Sequence, residues 1–139
     1  MRKNMCIYRG KLKDDSEWVE GFYVHLHDHK GNESHRIYPG YAETDCGVFY
    51  PDWFEVDPET VGQLTGETAN DEQLFEGDIF RCDDELMVVE WSVPDSGYVA
   101  HSLDGSNWEY PLGQIHLGCA EIIGNRFDNP ELLEVTDHA

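Results

Sequence analysis

Apolar residues in this chain never run further than four in a row, and that limit shapes what it can fold into. The longest run is Leu86-Met87-Val88-Val89, against the roughly 20 residues of a membrane-spanning helix and the about 7–15 of a signal-peptide core. A soluble chain that is not exported is therefore expected. Short aromatic and β-branched segments alternate with turn residues instead. Strands are expected at 5–9, 18–26, 35–38, 78–82, 86–92, 97–103, 107–110 and 119–123. Between them stand Gly10 with Asp14-Asp15-Ser16, Asp28 to Asn32, Pro39-Gly40, Asp83-Asp84, Pro94-Asp95-Ser96, Asp104-Gly105 and Gly113. Residues 47–56 are apolar but broken by Pro51, which reads as an edge strand or an extended loop. Residues 65–73 are polar and Gly-containing, which reads as a loop. Two helix starts stand out, Asp57-Pro58 and Asn129-Pro130, each a capping residue followed by a proline suited to the first helical position. Gly62 ends the first helix after one turn. The expected class is mainly β, a β-rich α+β chain built on a small antiparallel sheet or barrel with one or two short helices. With no repeat, low-complexity segment or linker, residues 1–139 are expected to form a single domain: an N-terminal hairpin region over 1–50 and a motif-bearing β core over 51–139.

Of the 139 residues, 40% are hydrophobic and 12% aromatic, enough to bury a core despite a net charge of −20. The charge is uneven. Residues 1–13 carry +5, residues 14–36 carry −4, and residues 37–139 carry −21, with no Lys after Lys30. Phosphate binding draws its affinity from Lys and Arg, so direct nucleic-acid binding by the body of the chain is excluded on electrostatic grounds. A basic protein surface or a divalent cation suits it better. Cys6, Cys46, Cys82 and Cys119 lie 36 to 40 residues apart without a C-x-x-C pair. That spacing fits free, mostly buried thiols in a reducing compartment and not a zinc ribbon.

Chemistry concentrates first in His25-Leu26-His27-Asp28-His29, followed by His35. On a strand, His25, His27 and His29 share a face, and a hairpin brings His35 close, so the four are candidate metal ligands. The plainer reading is a solvated hairpin tip, where histidines are merely tolerated. Hydrolase templates fail: Pro51-Asp52 and Pro94-Asp95 have no downstream Lys, and neither a G-x-S-x-G elbow nor a G-x-x-x-x-G-K-[ST] loop is present. Glu76, Asp78, Asp83, Asp84, Glu85 and Glu90 lie close together in sequence, as carboxylates of a metal site or of a solvated acidic face.

Four blocks together resemble the YopX family of phage and prophage proteins. They are Tyr8-Arg9-Gly10-Lys11 with Glu17-Trp18-Val19-Glu20-Gly21; the stretch Val56-Asp57-Pro58-Glu59-Thr60-Val61-Gly62-Gln63-Leu64-Thr65-Gly66; Leu74-Phe75-Glu76-Gly77-Asp78-Ile79-Phe80; and Glu121 through Leu133, containing Gly124-Asn125-Arg126-Phe127-Asp128-Asn129-Pro130. Their order and spacing cover most of the chain. Residues 67–73 lack the Lys-rich stretch of the family, and the chain is more acidic than a typical member. The resemblance implies a phage or prophage setting, the bacterial host cytoplasm, no transferable catalytic activity, and self-association. Each block also has an architectural reading, as caps and turns. The functional reading is a shared binding surface that includes Glu59, Gln63, Glu76, Asp78 and Asn125.

Charge and resemblance together lead to an acidic protein that acts by binding other proteins, not by catalysis. Its specific form is a nucleic-acid mimic that inhibits a host defence or nucleic-acid-binding protein, presenting carboxylates where phosphates are expected. The expected binding residues are Glu59, Gln63, Glu76, Asp78, Asp83, Asp84, Glu85 and Asn125. The partners are a host protein with a basic surface and further copies of the chain; no cofactor, membrane or nucleic acid is expected. The alternatives are a metal- or small-ligand-binding protein using the His25–His35 segment, or an accessory phage assembly component.

Overall fold

Antiparallel strands and tight turns account for most of the computed structural model, which describes residues 7–40, 42–49, 52–106 and 108–134. The chain gathers into two compact units, Met1–Leu64 and Thr65–Ala139. In the first, β1 (Tyr8–Lys11), β2 (Trp18–His27), β3 (Glu33–Tyr38), the short β4 (Ala42–Thr44) and β5 (Gly47–Phe49) pair, β6 (Phe54–Glu55) and the start of β7 (Gly62–Ala69) succeed one another along the chain. The main sheet runs in the order β6-β3-β2-β1-β7. The expected hairpin of β1 with β2 is present, Tyr8 facing Gly21 and Lys11 facing Trp18. A second hairpin pairs His25 with His35 and His27 with Glu33.

The core of this unit rests on Ile37, 0% exposed, and Val56, 1% exposed, each contributing about 1.5–3 kcal/mol through burial. A Cβ on Gly10 would stand 3.1 Å from Val56 Cβ and 3.3 Å from Ile37 Cδ1, so the glycine lets β1 close over them. Asp57-Pro58-Glu59-Thr60 does cap and turn as expected, but as one 3-10 turn, Pro58–Thr60. The Asp57 carboxylate accepts from the Glu59 N–H at 3.1 Å. Thr60 Oγ1 accepts from the Lys11 N–H at 2.9 Å and donates to the Asp57 carbonyl at 2.7 Å. The turn is thus fastened to β1, and Val61 leaves it extended, straight into β7.

The second unit continues β7 into β8 (Glu72–Phe75), then β9 (Asp78–Cys82), β10 (Glu85–Ser92), β11 (Gly97–Ser102), β12 (Glu109–Pro111) and β13 (Glu121–Asn125). Five of these form a sheet in the order β12-β11-β10-β9-β13. Leu74, Phe80, Val89 and Ala100, all 0–1% exposed, anchor its core together with Met87 and Leu117. Three differences from the sequence reading have clear causes. Residues 65–73 are a β-hairpin and not a loop, because Asn70 and Asp71 adopt φ of 50° and 71°. Two consecutive left-handed residues make the tight turn that matches strand twist. Both expected helices are single 3-10 turns, joined by two more at Leu112–Gln114 and Leu117–Cys119, and no α-helix occurs among the described residues. Finally, β13 starts at Glu121 because Leu117–Cys119 turns first, and its pairing with β9 slips by one residue between Ile122 and Gly124.

The mainly β class therefore holds. No helix among the described residues is long and apolar enough to cross a membrane. The expectation of mostly buried thiols holds only for Cys82, whose burial pushes its thiol pKa up; Cys46 and Cys119 are exposed, and Cys6 lies outside the described residues.

Candidate functional site

The expected binding residues fall into three groups. Glu59, exposed, and Gln63, half-buried, belong to the first unit. Glu76, Asp78 and Asn125 meet in the second unit, where the motif blocks form one knot of turns. Asp78 is 3% exposed, and its carboxylate accepts from the buried Phe75 N–H at 2.8 Å. Gly77 (φ 94°) donates to the Val89 carbonyl and accepts from the Arg126 N–H. Asn125, 9% exposed, accepts through Oδ1 from the Phe127 and Asp128 N–H groups at 3.0 and 2.9 Å, and donates through Nδ2 to Asp128 at 3.1 Å. Its own N–H is capped by Asn129 Oδ1 at 3.2 Å. Asp78 and Asn125 thus have their side chains directed into backbone satisfaction, which is the architectural reading of these blocks. Glu76 remains half-buried at 3.9 Å from Arg126.

Asp83, Asp84 and Glu85 form the third group, at the β9–β10 turn. The two aspartates take φ of 53° and 68° to close the hairpin, and Glu85 accepts from the Ser102 hydroxyl at 2.7 Å. Asp84, Glu85, Leu86, Leu103 and Asp104 line a shallow depression there.

The second unit carries 17 acids against Arg81 and Arg126. Both cations already lie beside carboxylates of that unit: Arg81 at 3.7 Å from Glu121, Arg126 at 3.9 Å from Glu76 and 3.8 Å from Glu90. Within that unit, most of the acidity has no cation to match it. The outer strands of the sheet add apolar surface. Register sets Trp91 opposite Tyr98 and Ala100 opposite Tyr110, so alternation gives these aromatics the core-facing side, at its open end. Trp91 and Tyr98 rings meet edge to face at 5.0 Å, yet Trp91 stays 48% exposed. Val93 and Trp108 are 77% and 63% exposed, and Tyr110 is exposed as well. The opposite side of the same strands holds Glu90, His101 and Glu109, with ligand atoms within 4.8 Å of one another. His101 Nδ1 is 3.3 Å from Glu109 and 3.9 Å from Glu90. The cluster leaves no mark along the sequence, because its members come from three strands and only the pairing unites them.

In the first unit, His25, His27 and His35 do converge. His25 and His35 rings stack at 4.1 Å, and His25 and His27 rings lie 4.3 Å apart. His29 does not join them: β2 ends at His27, and His29 stands in the turn beyond it. Glu33, missed in the sequence, sits among them, with His25 Nε2 at 2.6 Å and His27 Nε2 at 3.6 Å from its Oε1. The hydrogen bond from His25 holds the Glu33 carboxyl below its ordinary pKa, helped by the charge of the nearby imidazoles. Tyr23 hydrogen-bonds His35 Nδ1 at 2.6 Å.

No curated protein matches the chain. A family model described as YopX protein matches residues 7–134, nearly its whole length, and the chain belongs to that family.

Proposed function

We propose that this YopX-family chain is a phage- or prophage-type protein that works by protein–protein binding, through the acidic, aromatic-bearing surface of its second unit. The observation that carries the reading is the combination of uncompensated carboxylates with exposed Trp91, Val93, Trp108 and Tyr110. Carboxylates steer a basic partner and set specificity, whereas aromatic anchors in a charge-rimmed patch supply most of the affinity. Exposed apolar side chains of this size on an otherwise strongly acidic unit are unexplained by solubility, which charge alone provides. The partner class is a host protein whose basic surface ordinarily meets nucleic acid, with inhibition of a defence or nucleic-acid-binding protein as the consequence. Nothing in this mode requires catalysis.

The test immobilises the full chain, passes bacterial host lysate over it at low salt, and elutes with duplex DNA. The expected result is a retained basic, nucleic-acid-binding protein that duplex DNA releases, and that a Trp91→Ala/Trp108→Ala variant with unchanged circular dichroism fails to retain. Retention that excess DNA leaves untouched would overturn mimicry. Equal capture by wild type and variant would overturn the aromatic patch.

A further inference from the structure

We infer that the β2–β3 hairpin is a binding site for a divalent transition-metal ion of the zinc class, with His25, Glu33 and His35 as ligands and His27 in reach of a fourth position. The pairing of His25 with His35 puts two imidazoles directly opposite each other, and Glu33 lies diagonal to His25 on the same face. One ligand atom from each of His25, Glu33 and His35 lies within 4.8 Å of the others. Tetrahedral zinc, with Zn–N of about 2.0–2.1 Å, needs ligand atoms roughly 3.4 Å apart. The three side chains stand on one face of a single hairpin, so the approach asked of them is one between neighbouring side chains.

Four observations distinguish the cluster from a chance gathering of polar groups. Two imidazoles and a carboxylate are the donor set that suits zinc and its neighbours and excludes calcium and magnesium, which take oxygen. The Tyr23 hydroxyl holds His35 Nδ1, which orients the ring and leaves Nε2 for the metal, the usual division of labour in a metal-ligating histidine. The turn that carries the hairpin is itself tied down: the Asp28 carboxylate accepts from the N–H groups of Lys30 and Asn32 at 2.8 and 2.9 Å, and from Asn32 Nδ2 at 2.9 Å. And the nearest strand cation is turned away. Arg36 alternates to the opposite face, where it bonds Ser34 and Tyr38 and stacks on Trp53 at 3.8 Å. The Glu90–His101–Glu109 cluster lacks this last property, because Arg126 already stands 3.8 Å from Glu90. Both side chains of the His25–Glu33 pair are partly open to solvent, 37% and 53% exposed, so the fourth position is open to His27, to water or to an exogenous ligand.

The test uses the full chain without a histidine tag, stripped with a chelator and titrated with Zn2+ by calorimetry and with Co2+ by visible absorption. One equivalent is expected to bind, with the d–d bands of a low-coordinate nitrogen and oxygen site. His35→Asn and Glu33→Gln are each expected to weaken binding at least tenfold, with circular dichroism unchanged. His29→Ala and His101→Asn are expected to bind as wild type. A wild-type chain that binds no stoichiometric ion overturns the inference. So does undiminished binding by His35→Asn and Glu33→Gln, or a loss caused by His29→Ala or His101→Asn. Should His35→Asn fail to fold, Glu33→Gln alone decides, since its side chain is exposed.

Discussion

Gly124 and Asn129 offer a sharp test of whether the shared motif residues are architecture. A Cβ on Gly124 would stand 2.3 Å from Asn129 Oδ1, 2.7 Å from its Cγ and 3.3 Å from its Cβ. That oxygen caps the Asn125 N–H at 3.2 Å, in the turn where Asn125 also fastens Phe127 and Asp128. Gly124→Ala must push the Asn129 side chain out. The displacement loses the cap, about 1 kcal/mol, and crowds a packed turn at about 1–2 kcal/mol, for a total of roughly 2–3 kcal/mol. Asn129→Ala loses the cap alone, about 1 kcal/mol. In the double variant the obstructing side chain is gone and the N–H has already lost its acceptor, so the total stays near about 1 kcal/mol. A coupling of about −2 to −3 kcal/mol is therefore expected between two residues five apart. Urea unfolding of the four proteins, monitored by Trp fluorescence, measures it. Additivity within about 0.5 kcal/mol would refute the steric argument and reopen these residues as surface kept for another purpose.

Three further outcomes rest on particular geometries. Gly21→Ala should destabilise by about 3 kcal/mol or more, because its Cβ would meet only backbone, Tyr38 O at 2.2 Å and Pro39 Cα at 2.8 Å; Gly40→Ala, with nothing within 4 Å, should be neutral or slightly stabilising by thermal denaturation. The Asp28 carboxyl is held below its ordinary pKa, first by the Asn32 side chain and then by the N–H groups of Asn32 and Lys30. Its contribution is present above the unfolded-state pKa and lost as pH falls through the lowered folded one, so the stability gap between wild type and Asp28→Asn should shrink on acidification; a gap independent of pH would contradict this. Replacing Asp83-Asp84 by Asn-Gly, where φ is 53° and 68°, should stabilise by about 0.5–1 kcal/mol, visible as a higher urea midpoint with an unchanged slope.

Strand content is legible in the sequence because short apolar runs and turn residues are local signals. Trp18 to Leu26 reads as a strand without reference to anything distant, and β2 spans Trp18–His27. Residues 65–73 read wrongly as a loop because their turn is made by Asn70-Asp71, neither of them glycine, while Leu74 and Ala69 enter a core assembled from distant strands. The proline-opened turns show another limit. The Asp57 carboxylate caps the first turn as expected, whereas Asn129 makes no cap to the second and accepts from the Asn125 N–H instead; the length of each turn is decided further along the chain, by the extended Val61 and by the extended Glu134. Among the candidate ligands, His25 and His27 are legible by alternation and His35 by the hairpin. Glu33 is not, because its place across from His27 is fixed by register, and alternation alone wrongly admits His29 because the end of β2 is fixed by the Asp28 turn. Asp78 and Asn125 stand out in the sequence for the same reason they are poor contact residues: buried side chains that satisfy backbone groups are the ones a turn cannot exchange.

The charge takes on a different meaning once the chain is divided. By sequence, a basic start faces an acidic remainder. In the structure β1 lies within the first unit, where Arg9 and Lys11 stand 4.7 and 5.8 Å from the Trp18 ring and Lys13 pairs with Glu55 at 3.5 Å. The first unit then nets −5 and the second −15. Repulsion among carboxylates in so small a body is relieved by a basic partner, and that relief is screened beyond a Debye length of about 10 Å at 0.1 M salt. Coordination by His25, Glu33 and His35 is a short-range bond that screening barely touches. Raising salt should therefore release a protein captured by the second unit while leaving zinc on the first, and Glu33→Gln should do the reverse. Release of zinc by salt alone would refute this distinction between a screened and a coordinate interaction.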